Sequence, residues 1–173
     1  EMDGVTLLKT VISKYKIPTI MISSLSMQEG NTVLSALENG AVDYIQKPSF
    51  EDLPVMAPMI IEKIKTAASA SLQHTNKFEK SYGSRRIYNG KLSQNTLIAI
   101  GSSTGGTEAL REILTRLPAE IPPVVIVQHI PAVFSKAFAE RMNQLCAFKV
   151  VEGTDGEEVL PGKVIVAPGG KQM

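Results

Sequence analysis

The chain has 173 residues, no tryptophan, one cysteine and almost no net charge. Each shortage excludes something. Lys and Arg number 18 against 17 Asp and Glu, a formal net charge of +1. That is too little to hold a nucleic-acid backbone by bulk charge. The lone cysteine, Cys146, excludes an internal disulfide and suits a reducing, cytoplasmic compartment. Its place on an apolar helical face reads as core rather than as a reactive thiol. No apolar run approaches the ~20 residues of a membrane-spanning helix, and no secretory signal is visible. The chain starts at Glu1 without an initiator Met, which leaves a removed leader open. Its length suits one large or two small domains.

What is there is organised around Leu97 to Leu110. Leu97-Ile98-Ala99-Ile100 reads as a strand covered on both faces of a parallel sheet. Gly101, Gly105 and Gly106 belong to a small-residue turn. From Thr107 the spacing of Leu110, Ile113, Leu114 and Leu117 predicts a helix ending at Pro118. The turn fits G-x-S-x-G as Gly101-Ser102-Ser103-Thr104-Gly105, a pattern that lifts a serine to the tip of a strand-to-helix turn. Three readings are open. Ser103 is a nucleophile, with free N–H groups of the next helix beside it for an oxyanion; or the turn only packs; or it cradles a phosphate. Against the last, no Lys follows the glycines as in a Walker loop, and Ser103 stands where the dinucleotide fingerprint wants its second Gly.

In residues 1–70, short apolar runs alternate with helical patterns, the signature of a parallel α/β layout. Asp3 is placed to cap a first helix (Val5, Leu8, Val11, Ile12) that Ile17-Pro18 breaks. Thr19 to Ile22 is a short buried strand ending at Ser23-Ser24. Val33, Leu34 and Leu37 mark a second helix that stops at Asn39-Gly40. Ala41 to Ile45 is the next strand, closed by Lys47-Pro48, and Met56, Met59, Ile60, Ile64 and Ala67 mark a third helix. Ser23 and Lys47 thus end successive strands, where ligands bind in open parallel sheets. A hydroxyl and an ammonium there suit a phosphoryl group, or they are a capping serine and a solvated lysine.

Residues 71–95 are polar and without period, the composition of an interdomain linker. Lys77, Lys80, Arg85, Arg86 and Lys91 fit either a solvated connector or docking to an acidic surface. His74 lies here and is assigned nothing. Beyond it, Val124 to Val127 is a second buried strand, ending at Gln128-His129. A helical face follows (Phe134, Ala137, Phe138, Met142, Leu145), with Ser135 as its cap. A right-handed crossover from Leu97 to Gln128 brings Ser103 and His129 to one carboxyl edge. A neutral imidazole there is a general base for a serine, or it is a hydrogen-bonded strand-end histidine.

Two sets of words carry family resemblances. Glu-Met-Asp-Gly at 1–4, Met-Ile-Ser-Ser at 21–24, Glu-Asn-Gly-Ala at 38–41 and Asp-Tyr-Ile-Gln-Lys-Pro at 43–48 resemble the second part of a response-regulator receiver domain. That implies Ser23 as switch hydroxyl, Tyr44 as switch aromatic, Lys47 as phosphate-contacting lysine and a cis peptide at Lys47-Pro48. The receiver's acidic metal ligands and phospho-accepting aspartate precede these words in the family and are absent from the chain. Asp3 stands after the acceptor position. Ile-Gly-Ser-Ser-Thr-Gly-Gly-Thr-Glu-Ala-Leu at 100–110, Val-Gln-His-Ile-Pro at 127–131, Phe-Ala-Glu-Arg-Met-Asn at 138–143 and Asp-Gly-Glu-Glu-Val-Leu-Pro-Gly-Lys-Val-Ile-Val-Ala-Pro-Gly-Gly at 155–170 resemble the catalytic domain of the bacterial chemotaxis protein-glutamate methylesterases, the CheB family.

This second resemblance implies Ser103 as nucleophile, His129 as general base and Thr104 as a supporting residue. The family's triad aspartate lies in a later Gly-rich loop and is absent from the chain; Asp155 reads as a turn residue instead. The implied fold is α/β. A partial flavodoxin-like receiver at 1–70 and a linker at 71–95 precede the first part of a doubly wound parallel methylesterase domain at 96–173. The implied activity is hydrolysis of glutamyl methyl esters, and deamidation of glutamines, on methyl-accepting chemotaxis receptors. The implied phosphodonor is the chemotaxis histidine kinase, with Mg²⁺ needed for receiver phosphorylation and no cofactor for hydrolysis. The chain by itself is expected to be nearly inactive. A non-catalytic phospho-switch adaptor and a phosphate-binding α/β module are the alternatives.

Overall fold

A computed structural model of the chain describes residues 2–24, 27–69, 96–171 and 173. The linker expected at 71–95, with its basic residues and His74, lies outside the described residues. The first half runs α1 (Gly4–Tyr15), β1 (Ile20–Ser23), α2 (Met27–Glu38), β2 (Asp43–Gln46) and α3 (Leu53–Ser69). The second runs β3 (Ile98–Ser102), α4 (Gly106–Leu114), β4 (Val124–Gln128), α5 (Ala132–Leu145), β5 (Lys149–Glu152) and β6 (Lys163–Val166). β1 and β2 form a parallel pair, and the other strands a parallel sheet in the order β3-β4-β6-β5.

Asp3 caps α1 as its position suggests, accepting the N–H groups of Val5 and Thr6 at 2.9 Å each. These bonds, chiefly those from Thr6, hold the Asp3 carboxyl below its ordinary range. A carboxyl depressed in the folded state stabilises it above the unfolded pKa and loses that contribution as pH falls through the folded value. Asp3→Asn keeps the acceptor oxygen but not the titration. Its unfolding midpoint, followed by circular dichroism across the acid range, is expected to fall less steeply than that of the parent. The helix ends at Lys16, whose φ of 51° turns the chain left-handed before Ile17-Pro18.

Three features differ from the sequence reading. No peptide among the described residues is cis, so Lys47-Pro48 is trans. Trans is the lower-energy isomer by about 0.5–1 kcal/mol, and Lys47 donates its N–H to the Ser23 carbonyl in line with the β1–β2 ladder. Secondly, the strands are not covered on both faces: Ile22 in β1 is 63% exposed, and Ile98 and Val127 stand open. Both helical crossovers of the larger sheet step the same way, β3 to β4 and β4 past β6 to β5. Right-handed connections then send both helices to one face, where α4 and α5 pack on each other. The second helical layer of a doubly wound sheet is not among the described residues.

The third difference is Ser135. Pro131, in extended backbone, occupies the N-cap of α5, and Ser135 lies one turn in and fully buried. Its hydroxyl lies 2.5 Å from Glu152 Oε1 and 3.0 Å from the Ala132 carbonyl, and it accepts the Gly169 N–H at 2.9 Å. It therefore ties α5 to the end of β5 and to the loop after β6. Ser135→Ala leaves a buried donor and carboxylate short of a partner and is expected to cost about 1–3 kcal/mol, measured by urea unfolding.

One buried cluster joins the two halves of the chain. Leu8, Val33, Leu37 and Tyr44 share it with Leu110, Ile126, Phe134, Phe138 and Val164. At its centre the Tyr44 and Phe134 rings meet edge to face, 4.7 Å between centroids, an arrangement aromatic pairs favour. Arg141 on α5 pairs with Glu38 on α2 at the rim, 2.9 Å from its Oε1.

Candidate active site

β3 and β4 run in register from Ile98 opposite Val124 to Ser102 opposite Gln128. The ladder closes with the His129 N–H donating to the Ser102 carbonyl at 3.0 Å. Ser103 and His129 are the next residues on each strand. They emerge side by side from the carboxyl edge, both exposed. Their side chains are not hydrogen-bonded to each other.

The turn after Ser103 is sharp because Gly105, at φ 73°, adopts the left-handed conformation that glycine takes at little cost. It also caps α4, whose first N–H, from Gly106, is donated to the Ser103 carbonyl at 2.7 Å. The next residue must be small too. A Cβ on Gly106 would come within 2.8 Å of the Ser102 Cβ and closer still to Gln128 Oε1. Gln128 itself is buried. Its Oε1 accepts the Ser102 hydroxyl, and its Nε2 donates to the Ser103 carbonyl at 2.9 Å. Thr104, half-buried, completes the turn. The helix begins one residue earlier than the periodicity suggests and ends at Leu114, with two tighter bonds carrying the chain to Leu117.

Sequence reasoning named Ser103, Thr104 and His129 and missed Gln128 and Ser102. A signal for Gln128 was present: strand alternation sets residues 124, 126 and 128 on one face, and the first two are apolar. Asp155 is exposed in the Thr154–Glu157 turn, the place its Asp-Gly pair suggests. Burial raises the Cys146 thiol, which lies half-buried and free, above its ordinary pKa, opposite to the shift of a reactive cysteine.

Two of the other predicted site residues lie at the edge of the smaller sheet. Ser23 is half-buried and Lys47 exposed, at the ends of the paired strands. Tyr44 points inward instead, 5% exposed, with Lys63 Nζ 5.3 Å above its ring. Burial first, and the Asp43 carboxylate second, push its phenol well above the ordinary range. No group of three or more His, Cys, Asp or Glu among the described residues is placed to hold a metal. Ser23 and Lys47 offer a hydroxyl and an ammonium, not the carboxylate oxygens that Mg²⁺ takes, so these residues do not fit that ion. No described helix is long and apolar enough to cross a membrane.

Residues 98–173 match the family model described as CheB methylesterase. Through this segment the chain belongs to the CheB methylesterase family. It is 41% identical, over 99% of its own length and 51% of the relative's, to a protein of Syntrophotalea carbinolica named protein-glutamate methylesterase/protein-glutamine glutaminase. It is 42% identical to the protein of that name from Salmonella typhimurium, over 99% of this chain and 50% of that one. The chain thus spans about half the length of the curated relatives it matches. Among solved structures it is similar to the Thermotoga maritima CheB methylesterase catalytic domain, at 45% identity and a TM-score of 0.43 over 44% of this chain and 41% of that one. Ser103 after β3 and His129 after β4 both fall inside the segment that the family model matches.

Proposed function

We propose that the full-length protein hydrolyses glutamyl methyl esters on methyl-accepting chemotaxis receptors and deamidates receptor glutamines, with Ser103 as nucleophile and His129 as general base. The observation that carries this is the shared carboxyl edge of β3 and β4, which sets both residues side by side within the CheB methylesterase segment. His129 takes the Ser103 proton as the hydroxyl oxygen attacks the ester carbonyl. N–H groups of the turn and of the first turn of α4 receive the oxyanion. His129 returns the proton to the leaving methoxide, giving methanol and an acyl-serine. It then deprotonates water, which cleaves the acyl-enzyme to a glutamate side chain and restores Ser103. With a glutamine substrate, ammonia leaves in place of methanol. Thr104 supports the turn that presents these groups. None of these steps needs a cofactor.

The first half of the chain is a receiver fragment on this reading. Ser23 and Lys47 take the phosphoryl contacts, Tyr44 is the switch aromatic, and the chemotaxis histidine kinase is the phosphodonor. A near-neutral chain with a half-buried, unreactive cysteine fits a cytoplasmic protein acting on receptor tails rather than on nucleic acid. Methanol release from methylated receptor, compared between the full-length protein and its Ser103→Ala and His129→Ala variants, tests the assignment. Equal release from all three sinks it.

A further inference from the structure

Resting on Ser103 as nucleophile, we propose that Gln128 is a positioning residue that aims the Thr104 N–H at the oxyanion. The Ser103 carbonyl has two lone pairs. One takes the Gly106 N–H at 2.7 Å and the other the Gln128 Nε2–H at 2.9 Å. The Ser103–Thr104 peptide is trans, so its plane is fixed once its carbonyl is fixed. In a trans peptide the N–H points opposite to the carbonyl. The Thr104 N–H is therefore turned away from the buried amide, toward the open edge on which Ser103 and His129 lie. The residue after a serine nucleophile supplies an oxyanion donor in other strand-to-helix elbows, and only a donor aimed before the reaction lowers its barrier.

The amide that does the aiming is itself held. Its Oε1 accepts the Ser102 hydroxyl, which sets which end of the side chain faces the turn. Gly106 closes over it with no room for a Cβ. Gln128 is also register partner to Ser102, so the strand that delivers His129 delivers the residue that orients the nucleophile's own turn. Base and oxyanion donor are thereby set by one strand end.

A side chain that merely satisfies a strand end would change stability, whereas one that aims a donor changes the rate of the bound complex. The test uses the full-length protein, with steady-state methanol release and thermal unfolding measured together. Gln128→Glu keeps the shape and the acceptor oxygen and loses the donor. Ser102→Ala leaves Gln128 in place but unanchored. The expected result, at temperatures where each variant is folded, is a fall in kcat of about 100-fold for Gln128→Glu and about tenfold for Ser102→Ala, with KM little moved. Unchanged kcat in either folded variant, or a loss confined to KM, overturns the proposal while Ser103→Ala stays inactive. If Gln128→Glu does not fold, Ser102→Ala alone decides. An active Ser103→Ala enzyme instead removes the nucleophile on which the proposal rests.

Discussion

Ser103→Ala in the full-length protein is expected to lower kcat for methanol release by about 10⁴-fold or more, with the unfolding curve unchanged. The two halves of that statement come from different observations. Ser103 is exposed at the tip of its turn, and the turn is held by its backbone carbonyl through Gly106 and Gln128. Removing the hydroxyl breaks neither bond, so the fold should not register the change. Chemistry should, because without the hydroxyl no acyl-enzyme forms, and only direct attack by water at a polarised carbonyl remains. Residues that act as one unit lose their effects together. His129→Ala is therefore expected to cost nearly as much, and the double variant little more than either single one. Multiplicative losses in that cycle would mean that His129 acts on something other than Ser103.

Much of this site was legible because strand–turn–helix units are punctuated in sequence. Four apolar residues, a glycine-rich turn and a 3.6-residue period located β3, the Ser103 turn and α4. Pro122-Pro123 and Pro131 bracketed β4 and left His129 at its end. Which faces are covered was not legible. An apolar run such as Leu97 to Ile100 looks the same whether one layer packs on it or two, and the answer lies in the direction of the crossovers. β5 also escaped notice, since Lys149-Val150-Val151-Glu152 offers only two apolar residues between charged ones. It becomes a strand by pairing with β6, which is buried along its length.

The Ser135 cap was misjudged, and the burial of Tyr44 was not legible, for a related reason. A serine near a helix start is an N-cap by local preference. What takes this one into the core is a carboxylate on Glu152 and an N–H on Gly169, residues no local window includes. The ring that meets Tyr44 belongs to Phe134, far along the chain in the other half. Local pattern finds elements, and it finds the residues at their ends. It does not find the partners of a buried polar group, and those partners hold this site together.

Gly169 shows how much depends on such a partner. A Cβ there would stand within 3.0 Å of the Ile130 carbonyl oxygen, the Pro131 carbonyl carbon and the Ala132 nitrogen, closer than real Cβ atoms come. All three are backbone atoms, so no rotamer change makes room. Relief must come from moving the chain between β4 and α5, or the loop that carries Gly169. The latter move strains the Gly169 N–H bond to Ser135. Overpacking usually costs about 1–3 kcal/mol, and with an unyielding wall and a buried bond at risk, Gly169→Ala belongs at or beyond the upper end. A loss of about 3 kcal/mol lowers the melting temperature of a chain this size by roughly 6–12 °C. Gly101→Ala is the matched comparison: nothing lies within 4 Å of its Cβ, and the change should stay within about 0.5 kcal/mol. Because the displaced segment begins next to His129, Gly169→Ala should also lose methanol release at temperatures where it is still folded. A Gly169→Ala protein that melts with the parent would show that the loop after β6 is free to move away, and that it does not brace the histidine.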